Sequence, residues 1–508
     1  MIAINGSTKC SDIFREALKF TWCEFVERTT IHGLRYILDE QGNKFTRTLW
    51  LIVTVVGFIA SNVLVDTFWL RYKANPTRLR VDSFHQPLNM LDLPAITICD
   101  GQHINEDRAR KFIDQLTLPS NVSKTDLLKY LAQASAFTGN DAYNDQEMSI
   151  LQTILNNNDM SVSTTMEAIQ TPCSDLLVRC RFEYQTRPCM ELFQDSLTYL
   201  GICCTFNARD NFLHTQDFGR RGGLSVMIQP TRNSVYSKSY SREVKLLVHK
   251  SIDFPSDLSV VEMLSHQSEN NVEVHSSITK CSSAVQALSF DERDCILSTE
   301  KRLRVFQEYT ENNCNVECRA GQIIRLCGCL PYNYRLNSRS KYPACNFTKI
   351  NCLVANYFEI HESRMHQRDT CTCPPDCNSV SFDVAISKLP LVTFADFTED
   401  EFYDGLNDSH LIARISFGKQ VYRELRRDLL INIITLASGL GGIYSLFIGM
   451  GVLTFFEISY FLTIRLRFNY IQIRNQRESL RLNARKMLAS RLKRRTVWKQ
   501  SQKIGRIN

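Results

Sequence analysis

Residues 429–462 are the part of this sequence that most constrains the fold. These 34 residues carry a single charged side chain, Glu457. A straight α-helix of that length would be about 50 Å long, whereas the hydrocarbon core of a bilayer is about 30 Å thick. The segment must therefore tilt steeply or break, and its glycines mark where a break is easiest. Because unpaired backbone in a bilayer is tolerated only where it is buried in protein or lines water, the segment is a candidate pore.

A second apolar run lies near the N-terminus. Residues 49–65 contain no charged side chain, and the run continues past Asp66 to Leu70, which is long enough to span a bilayer. The 48 residues before it have mixed charge and show no short apolar core with a cleavage site, so the run does not resemble a signal peptide. Two spans place both termini on the same side of the membrane.

Cysteine distribution indicates which side that is. Of the 19 cysteines, 17 lie between the two runs, and only Cys10 and Cys23 precede the first. Such density is typical of an oxidising compartment and of disulfides. The close spacings Cys314/Cys318 and Cys371/Cys373 would also suit zinc, but disulfides are favoured outside a cell. We therefore place residues 71–428 outside the cell.

Sequons and charge agree with this orientation. Three N-glycosylation sequons fall between the runs, at Asn121, Asn346 and Asn407. The tail from 465 to 508 holds 14 Lys or Arg and one acid, Glu478, which fits the positive-inside rule and an anionic inner leaflet. The sequence thus predicts a two-span plasma-membrane protein with both termini in the cytoplasm.

The region between the runs has the pattern of an α+β body. Helical spacing of apolar residues predicts a helical insert, and alternation predicts strands around it. Residues 298–326 are expected to form a helix with a break near Asn312. The predicted insert helices are 105–118, 124–136 and 146–157, and the predicted strands are 93–99, 224–229 and 244–249.

Five motifs in order along the chain together resemble the degenerin/epithelial sodium channel family. Cys203-Cys204 and the run from Glu457 to Arg465 look most like its pickpocket subfamily. The motifs are Ile31-His32-Gly33, Pro94–Cys99, Gly201–Asn207, the cysteine set from 314 to 377, and Leu446–Gly449.

The resemblance implies a subunit of a trimeric, amiloride-sensitive sodium channel. Its expected fold is an α+β membrane protein with two transmembrane helices flanking a large disulfide-rich ectodomain of palm, β-ball, knuckle, finger and thumb. The expected divisions are a cytoplasmic N-terminus (1–48), transmembrane helix 1 (49–70), the extracellular domain (71–428), transmembrane helix 2 with the pore (429–462) and a basic cytoplasmic tail (463–508).

The resemblance also implies disulfide pairings, with Cys173 and Cys204 as an additional pair that leaves Cys281 as the odd thiol. The expected pairs are Cys99–Cys203, Cys173–Cys204, Cys180–Cys189, Cys295–Cys377, Cys314–Cys373, Cys318–Cys371, Cys327–Cys352 and Cys329–Cys345.

Gly449-Met450-Gly451 occupies the position of the family's Gly-x-Ser selectivity filter, where small residues let backbone carbonyls face the pore. Glycine replaces the serine at Gly451, so one hydroxyl of that filter is missing. The alternative is that these small residues only allow close helix packing. Glu457 is expected to attract cations at the inner pore, or else to anchor the helix at headgroup level.

Two further positions match gating elements of the family. Ser438 resembles the degenerin site, where a small side chain lets the closed pore pack; alternatively it only bonds its own i−4 carbonyl. His32-Gly33 matches a cytoplasmic motif of a re-entrant loop below the pore, although such a pair is also common in turns.

The sequence therefore predicts a cation channel subunit gated by an extracellular ligand or a mechanical stimulus. The alternatives are a non-conducting auxiliary subunit and a two-pass surface binding protein. Its expected partners are sodium ions, related subunits in a homo- or heterotrimer, anionic inner-leaflet lipid and an extracellular ligand. No nucleophile elbow, metal-binding His pair or phosphate loop is present, so we expect no enzyme, cofactor or metal site. A basic tail tethered to a membrane is not expected to bind nucleic acid.

Overall fold

The computed structural model describes residues 6–38, 43–101, 104–138, 142–208, 213–215, 217–231, 243–334, 342–361, 372–391 and 400–504. The chain divides into two compact units. The terminal unit contains Met1–Pro76 and Leu429–Asn508, and the central unit is Thr77–Asp428.

The N-terminal part of the terminal unit is helical. Helix α1 (Gly6–Arg28) and the single turn α2 (Leu34–Leu38) precede α3 (Lys44–Ala74). Helix α3 begins before the apolar run 49–70 and ends after it. Among the described helices, α3 alone is by itself long and apolar enough to cross a membrane, with a mean hydropathy of 2.2 over its most apolar window.

The central unit is built on two β-sheets. The larger has eight strands in the order β1-β13-β10-β12-β7-β3-β4, with β11 paired to β10, and the smaller has the order β5-β6-β2-β8-β9. The strands are β1 (Thr77–Pro87), β2 (Ala95–Cys99), β3 (Leu177–Phe182), β4 (Gln185–Arg187), β5 (Phe193–Thr198), β6 (Gly201–Phe206), β7 (Leu224–Ile228), β8 (Val244–His249), β9 (Val260–Leu264), β10 (Ser268–Cys281), β11 (Ser379–Pro390), β12 (Leu411–Phe417) and β13 (Val421–Leu429).

The three predicted strands are present as β2, β7 and β8. Every residue of β2 and β7 is buried, because both strands lie in the interior of their sheets. Along β10 buried and partly buried residues alternate, so that Val272 and Val274 face the core.

The helical insert has four main helices, one more than the sequence predicted. Each begins after a polar cap whose side chain accepts a backbone N–H, and Ser123 and Asp126 form a full capping box. The apolar pattern of the fourth helix extends over only two turns, which explains why this helix was not predicted from the sequence. They are α4 (Glu106–Asp114), α5 (Lys124–Ala132), α6 (Asp145–Asn157) and α7 (Val162–Ile169); short turns follow at α8 (Cys173–Leu176), α9 (Cys189–Leu192), α10 (Gly219–Gly222), α11 (Ser283–Gln286) and α12 (Phe290–Arg293).

The helix expected over residues 298–326 is much shorter. Only α13 (Glu311–Cys327) forms, followed by α14 (Ile350–Ala355) and α15 (Tyr357–His361). The preceding segment is irregular because the Glu317 carboxylate accepts the backbone N–H groups of Arg304 and Val305, at 3.0 and 2.6 Å. Side-chain bonds of this kind replace the helical i→i−4 ladder, so this part of the prediction was wrong.

Among the described residues, seven disulfides join cysteines of the central unit, and each pair is one that the family resemblance implies. Cys318 is also disulfide-bonded, and its expected partner Cys371 lies outside the described residues. Cys314, Cys318 and Cys373 thus hold disulfide sulfurs and are not free to bind zinc. The described disulfides are Cys99–Cys203, Cys173–Cys204, Cys180–Cys189, Cys295–Cys377, Cys314–Cys373, Cys327–Cys352 and Cys329–Cys345.

The C-terminal part of the terminal unit is a broken helix. Helix α16 (Ile433–Ile448) ends at Gly449, and α17 (Val452–Tyr460) continues through a π-helical turn at Phe461–Arg465 into α18 (Leu466–Ile504). The two parts are bent by 70° at the break and are long and apolar enough to span a membrane only when taken together. Of the two possibilities for residues 429–462, tilting or breaking, the structure takes the second.

Candidate functional site

The site is the break between α16 and α17. Gly449 ends α16 with φ +76°, a left-handed conformation that glycine adopts without strain, and Gly451 is extended at φ −107°, ψ −177°. The Gly451 N–H donates to the Thr454 hydroxyl at 3.1 Å, which caps α17. The three predicted filter residues Gly449, Met450 and Gly451 are thus the three non-helical residues between α16 and α17.

The His32-Gly33 pair lies against this break. The His32 N–H donates to the Ile448 carbonyl at 2.8 Å, which satisfies one of the carbonyls at the end of α16. A Cβ at Gly449 would lie 2.8–2.9 Å from ring atoms of His32, so only glycine allows this approach. The structure therefore brings together two predicted features that are more than 400 residues apart in the sequence.

Gly33 brings the His-Gly pair into contact with α3. Its φ is +87°, and a Cβ there would lie 2.3 Å from the Thr54 hydroxyl oxygen of α3. Both a left-handed backbone and a close approach to α3 therefore require glycine at this position. The loop is held between α3 and the end of α16.

Helix α16 contacts α3 on one face only. A Cβ at Gly439 would touch the Phe68 ring at 3.0 Å, and a Cβ at Gly57 of α3 would lie 3.1 Å from the Phe447 carbonyl oxygen. Ser438 is exposed, and Gly441 and Gly442 have no heavy atom within 4 Å of a Cβ position. Ser438, Gly441 and Gly442 thus form an open face of α16 within the described chain.

Glu457 lies two turns beyond the break and contacts the same N-terminal loop. One carboxylate oxygen is 3.4 Å from both the backbone nitrogen and the hydroxyl oxygen of Thr30. The Thr30 hydroxyl also lies 3.0 Å from that of Thr454, which is buried. Glu457 therefore belongs to a polar group around the loop, at a partly buried position.

The N-terminal helix packs on the far side of the π-helical turn. Glu24 of α1 accepts two bonds from the Arg465 guanidinium, one of them at 2.7 Å, and Asn469 donates to Thr21 at 3.0 Å. Phe25 and Phe461 meet edge to face with ring centroids 5.4 Å apart. The packing of α1 against the π-helical turn and the start of α18 therefore fixes the position at which the loop containing His32 begins.

The sequence reasoning missed the two threonines at this site. Thr30 and Thr454 link the loop to α17, and Thr454 caps the helix that follows the break. Thr454 could have been recognised, because a hydroxyl residue three positions after Gly451 is placed to bond the free N–H at a helix start. Thr30 gave no such signal, since its partner is distant in sequence.

The predicted glycosylation sites are placed on the central unit. Asn121 and Asn407 are exposed, and Asn346 is half-buried at the start of a short 3-10 helix after Cys345. Asn121 lies in a turn and Asn407 directly precedes one.

Comparison with known proteins decides the family. The model of the amiloride-sensitive sodium channel family matches residues 25–461, which include the loop, the disulfide-rich unit and the break. This chain belongs to the amiloride-sensitive sodium channel family.

Its relatives in this channel family include insect proteins that match over nearly the full length. The chain is 36% identical to the sodium channel protein Nach of Drosophila ananassae over 461 residues, which is 90% of this chain and 89% of the relative. It is 34% identical to Nach of Drosophila melanogaster, with 89% of each covered, and 21% identical to pickpocket protein 11 of the same species, with 88% and 76% covered. The family consists of ion channels and not enzymes, so the expectation of no catalytic activity is confirmed.

Proposed function

We propose that this chain is a subunit of a trimeric, sodium-selective cation channel whose filter is Gly449-Met450-Gly451. The single observation that carries the proposal is the helix break held open by the His32 loop, with Gly449 in close approach to the imidazole. A break of this kind leaves backbone carbonyls outside the helical ladder at three residues, two of which have no side chain, and this suits an ion filter. Membership of a family whose relatives are named sodium channels supports the choice of ion.

The open face of α16 supports a pore axis shared by several subunits. Ser438, Gly441 and Gly442 have no covering residue from the described chain, so three copies of α16 could approach along this face. Glu457 of each subunit would then add a carboxylate on the inner side. In this arrangement α3 and the second, broken span cross the plasma membrane, both termini are cytoplasmic and the basic tail meets anionic lipid.

The test is Ser438→Val expressed in oocytes. A valine at the subunit contact prevents the closed pore from packing, so we expect a constitutive inward sodium current that amiloride blocks. Thr67→Val is the control, because Thr67 is also an exposed hydroxyl residue but belongs to α3 and not to the open face of α16, so we expect no constitutive current. Surface-labelled Ser438→Val protein with no current, alone or with related subunits, would contradict the channel proposal.

A second candidate function is a non-conducting auxiliary subunit of a heteromeric channel. The observation that favours it is Gly451, which lacks the hydroxyl expected at the third filter position. The two candidates separate on co-expression, because an auxiliary subunit changes the current of related subunits and gives none by itself. Gating by an extracellular ligand or by a mechanical stimulus is compatible with both candidate functions.

A further inference from the structure

Three sulfur atoms meet at the end of β10. The Sγ atoms of Cys281, Cys295 and Cys377 all lie within 4.8 Å of one another, and all three residues are buried. Cys295 and Cys377 are joined by a disulfide, while Cys281 is a free thiol. A thiol this close to a disulfide has a partner for exchange in its own chain.

The strand register shows which new bond the fold would accept. Strands β10 and β11 pair in register from Ser268↔Pro390 to Thr279↔Ser379, and two more steps place Cys281 opposite Cys377. The Cys281 N–H donates to Asn378 Oδ1 at 2.9 Å, and its thiol donates to the Cys377 carbonyl at 3.2 Å. Directly opposite residues of an antiparallel pair have Cα atoms about 4.5–5.5 Å apart, a distance that suits a disulfide.

We propose that Cys281, Cys295 and Cys377 form a thiol–disulfide exchange site in which the bridge moves between two positions. The Cys281 thiol loses its proton, and the thiolate attacks the Cys377 sulfur. The Cys281–Cys377 bond forms while the Cys295–Cys377 bond breaks, and the Cys295 thiolate takes up a proton. The number of disulfides is unchanged, so the step needs no oxidant or reductant.

The exchange would release the base of a large loop. The Cys295–Cys377 bridge joins residues 82 positions apart, and the loop between them contains α13, α14 and α15. Once the bridge has moved, Ile296 keeps two backbone bonds at this base, to Pro375 at 3.0 Å and from Cys377 at 2.9 Å. The new bridge would instead fasten β11 to β10, which also pairs with β13 through Cys281↔Arg427.

The charges around Cys281 determine how fast the step can run. Burial raises the pKa of the thiol, and the guanidinium groups of Arg427 on β13 and Arg293 on α12 partly oppose this effect. Lys280, the adjacent residue of β10, is paired with Glu424 at 3.1 Å. Only the thiolate attacks the disulfide. As long as the pH is below the pKa of Cys281, the exchange rate should therefore rise about tenfold for each unit by which the pH increases.

The first experiment traps the free thiol in the full-length protein in detergent. Samples incubated at pH 7 and pH 9 are quenched in acid, denatured, labelled with N-ethylmaleimide and mapped by mass spectrometry. We expect label on Cys295 and a Cys281–Cys377 crosslinked peptide to appear faster at pH 9. The Cys329–Cys345 pair serves as the control for general scrambling and should stay unlabelled; label that remains on Cys281 alone would overturn the proposal.

The second experiment removes the competing partner. In Cys295→Ser we expect a Cys281–Cys377 disulfide, and in Cys281→Ser/Cys295→Ser we expect a labelled Cys377. If Cys295→Ser retains the other six described disulfides but both Cys281 and Cys377 take the label, the two sulfurs cannot bond and the proposal fails. Neither experiment measures a current, so the result is independent of whether the chain conducts ions.

Discussion

At the scale of single residues, Gly449 is a position where little change is tolerated. Its φ is positive, and a Cβ at this position would lie too close to the His32 ring. Each of these two features by itself disfavours any residue other than glycine. Gly442 is a glycine of the same helix under neither constraint, since a Cβ there would meet no heavy atom within 4 Å. The two glycines therefore form a natural pair for comparison.

We expect Gly449→Ala to remove most of the current of the Ser438→Val channel while Gly442→Ala leaves it nearly unchanged. A left-handed alanine costs roughly 1–2 kcal/mol, and its methyl group would also push the His32 ring away. The measurement is sodium current normalised to surface protein. Adding His32→Ala to Gly449→Ala should recover part of the loss, because it removes the contact and not the backbone cost; an unaffected Gly449→Ala channel would contradict the proposed filter geometry.

At the scale of elements, the smaller sheet is held by a polar chain across three strands. The Thr97 hydroxyl of β2 lies 2.8 Å from the Thr205 hydroxyl of β6 and 2.8 Å from Nε2 of His249 on β8. His249 Nδ1 lies 2.8 Å from the Lys250 carbonyl, to which it can donate. Burial lowers the pKa of His249 to about 4, so the ring is neutral in the folded sheet at neutral pH.

This arrangement predicts that the central unit loses stability in mild acid. Between pH 6.5 and 4 the unfolded chain binds a proton at His249 that the folded sheet excludes, so the free energy of unfolding should fall by up to about 3 kcal/mol. Thermal unfolding of the full-length protein in detergent, followed from pH 7 to 4.5, measures this slope. His249→Gln should flatten the slope and His85→Gln, at an exposed histidine, should not; equal slopes in the two variants would show that His249 is not the cause.

At the scale of the whole molecule, the two units have different chemistry. All seven described disulfides and all three predicted glycosylation sites belong to the central unit, whereas the long apolar helix and the basic tail belong to the terminal unit. This division is what a chain needs if one part lies in an oxidising compartment and the other in and beneath a membrane.

Glycosylation tests that division directly. The sequence carries a further sequon, Asn5-Gly-Ser, in the N-terminal segment that we propose to be cytoplasmic. We expect Asn121→Gln, Asn346→Gln and Asn407→Gln each to remove one glycan step from the protein in cells, and Asn5→Gln to remove none. A glycan at Asn5, or none at the other three positions, would contradict the proposed topology; the readout is gel mobility before and after enzymatic deglycosylation.

The sequence by itself determined the broad plan of this protein. An apolar run too long for a straight span predicted a tilt or a break, and the density of cysteines predicted an oxidised extracellular domain. Both predictions were possible because the thickness of a bilayer and the redox state of a compartment each select residue types that can be counted in the sequence. Three of the four helices of the insert and the strands β2, β7 and β8 were predictable for the same reason. The irregular segment before α13 was not, since the Glu317 bonds that replace the helix depend on where a later residue lies.

Only the tertiary structure decided which distant residues meet. His32 reaches Gly449, Thr30 reaches Thr454 and Glu457, and Cys281 reaches a disulfide whose sulfurs come from two other segments. Neither the register of β10 with β11 nor the path of the N-terminal loop leaves a local pattern in the residues that form it. These contacts form because side chains from the whole chain pack together in the folded protein. Which residue lies beside another therefore depends on how all the neighbouring elements pack.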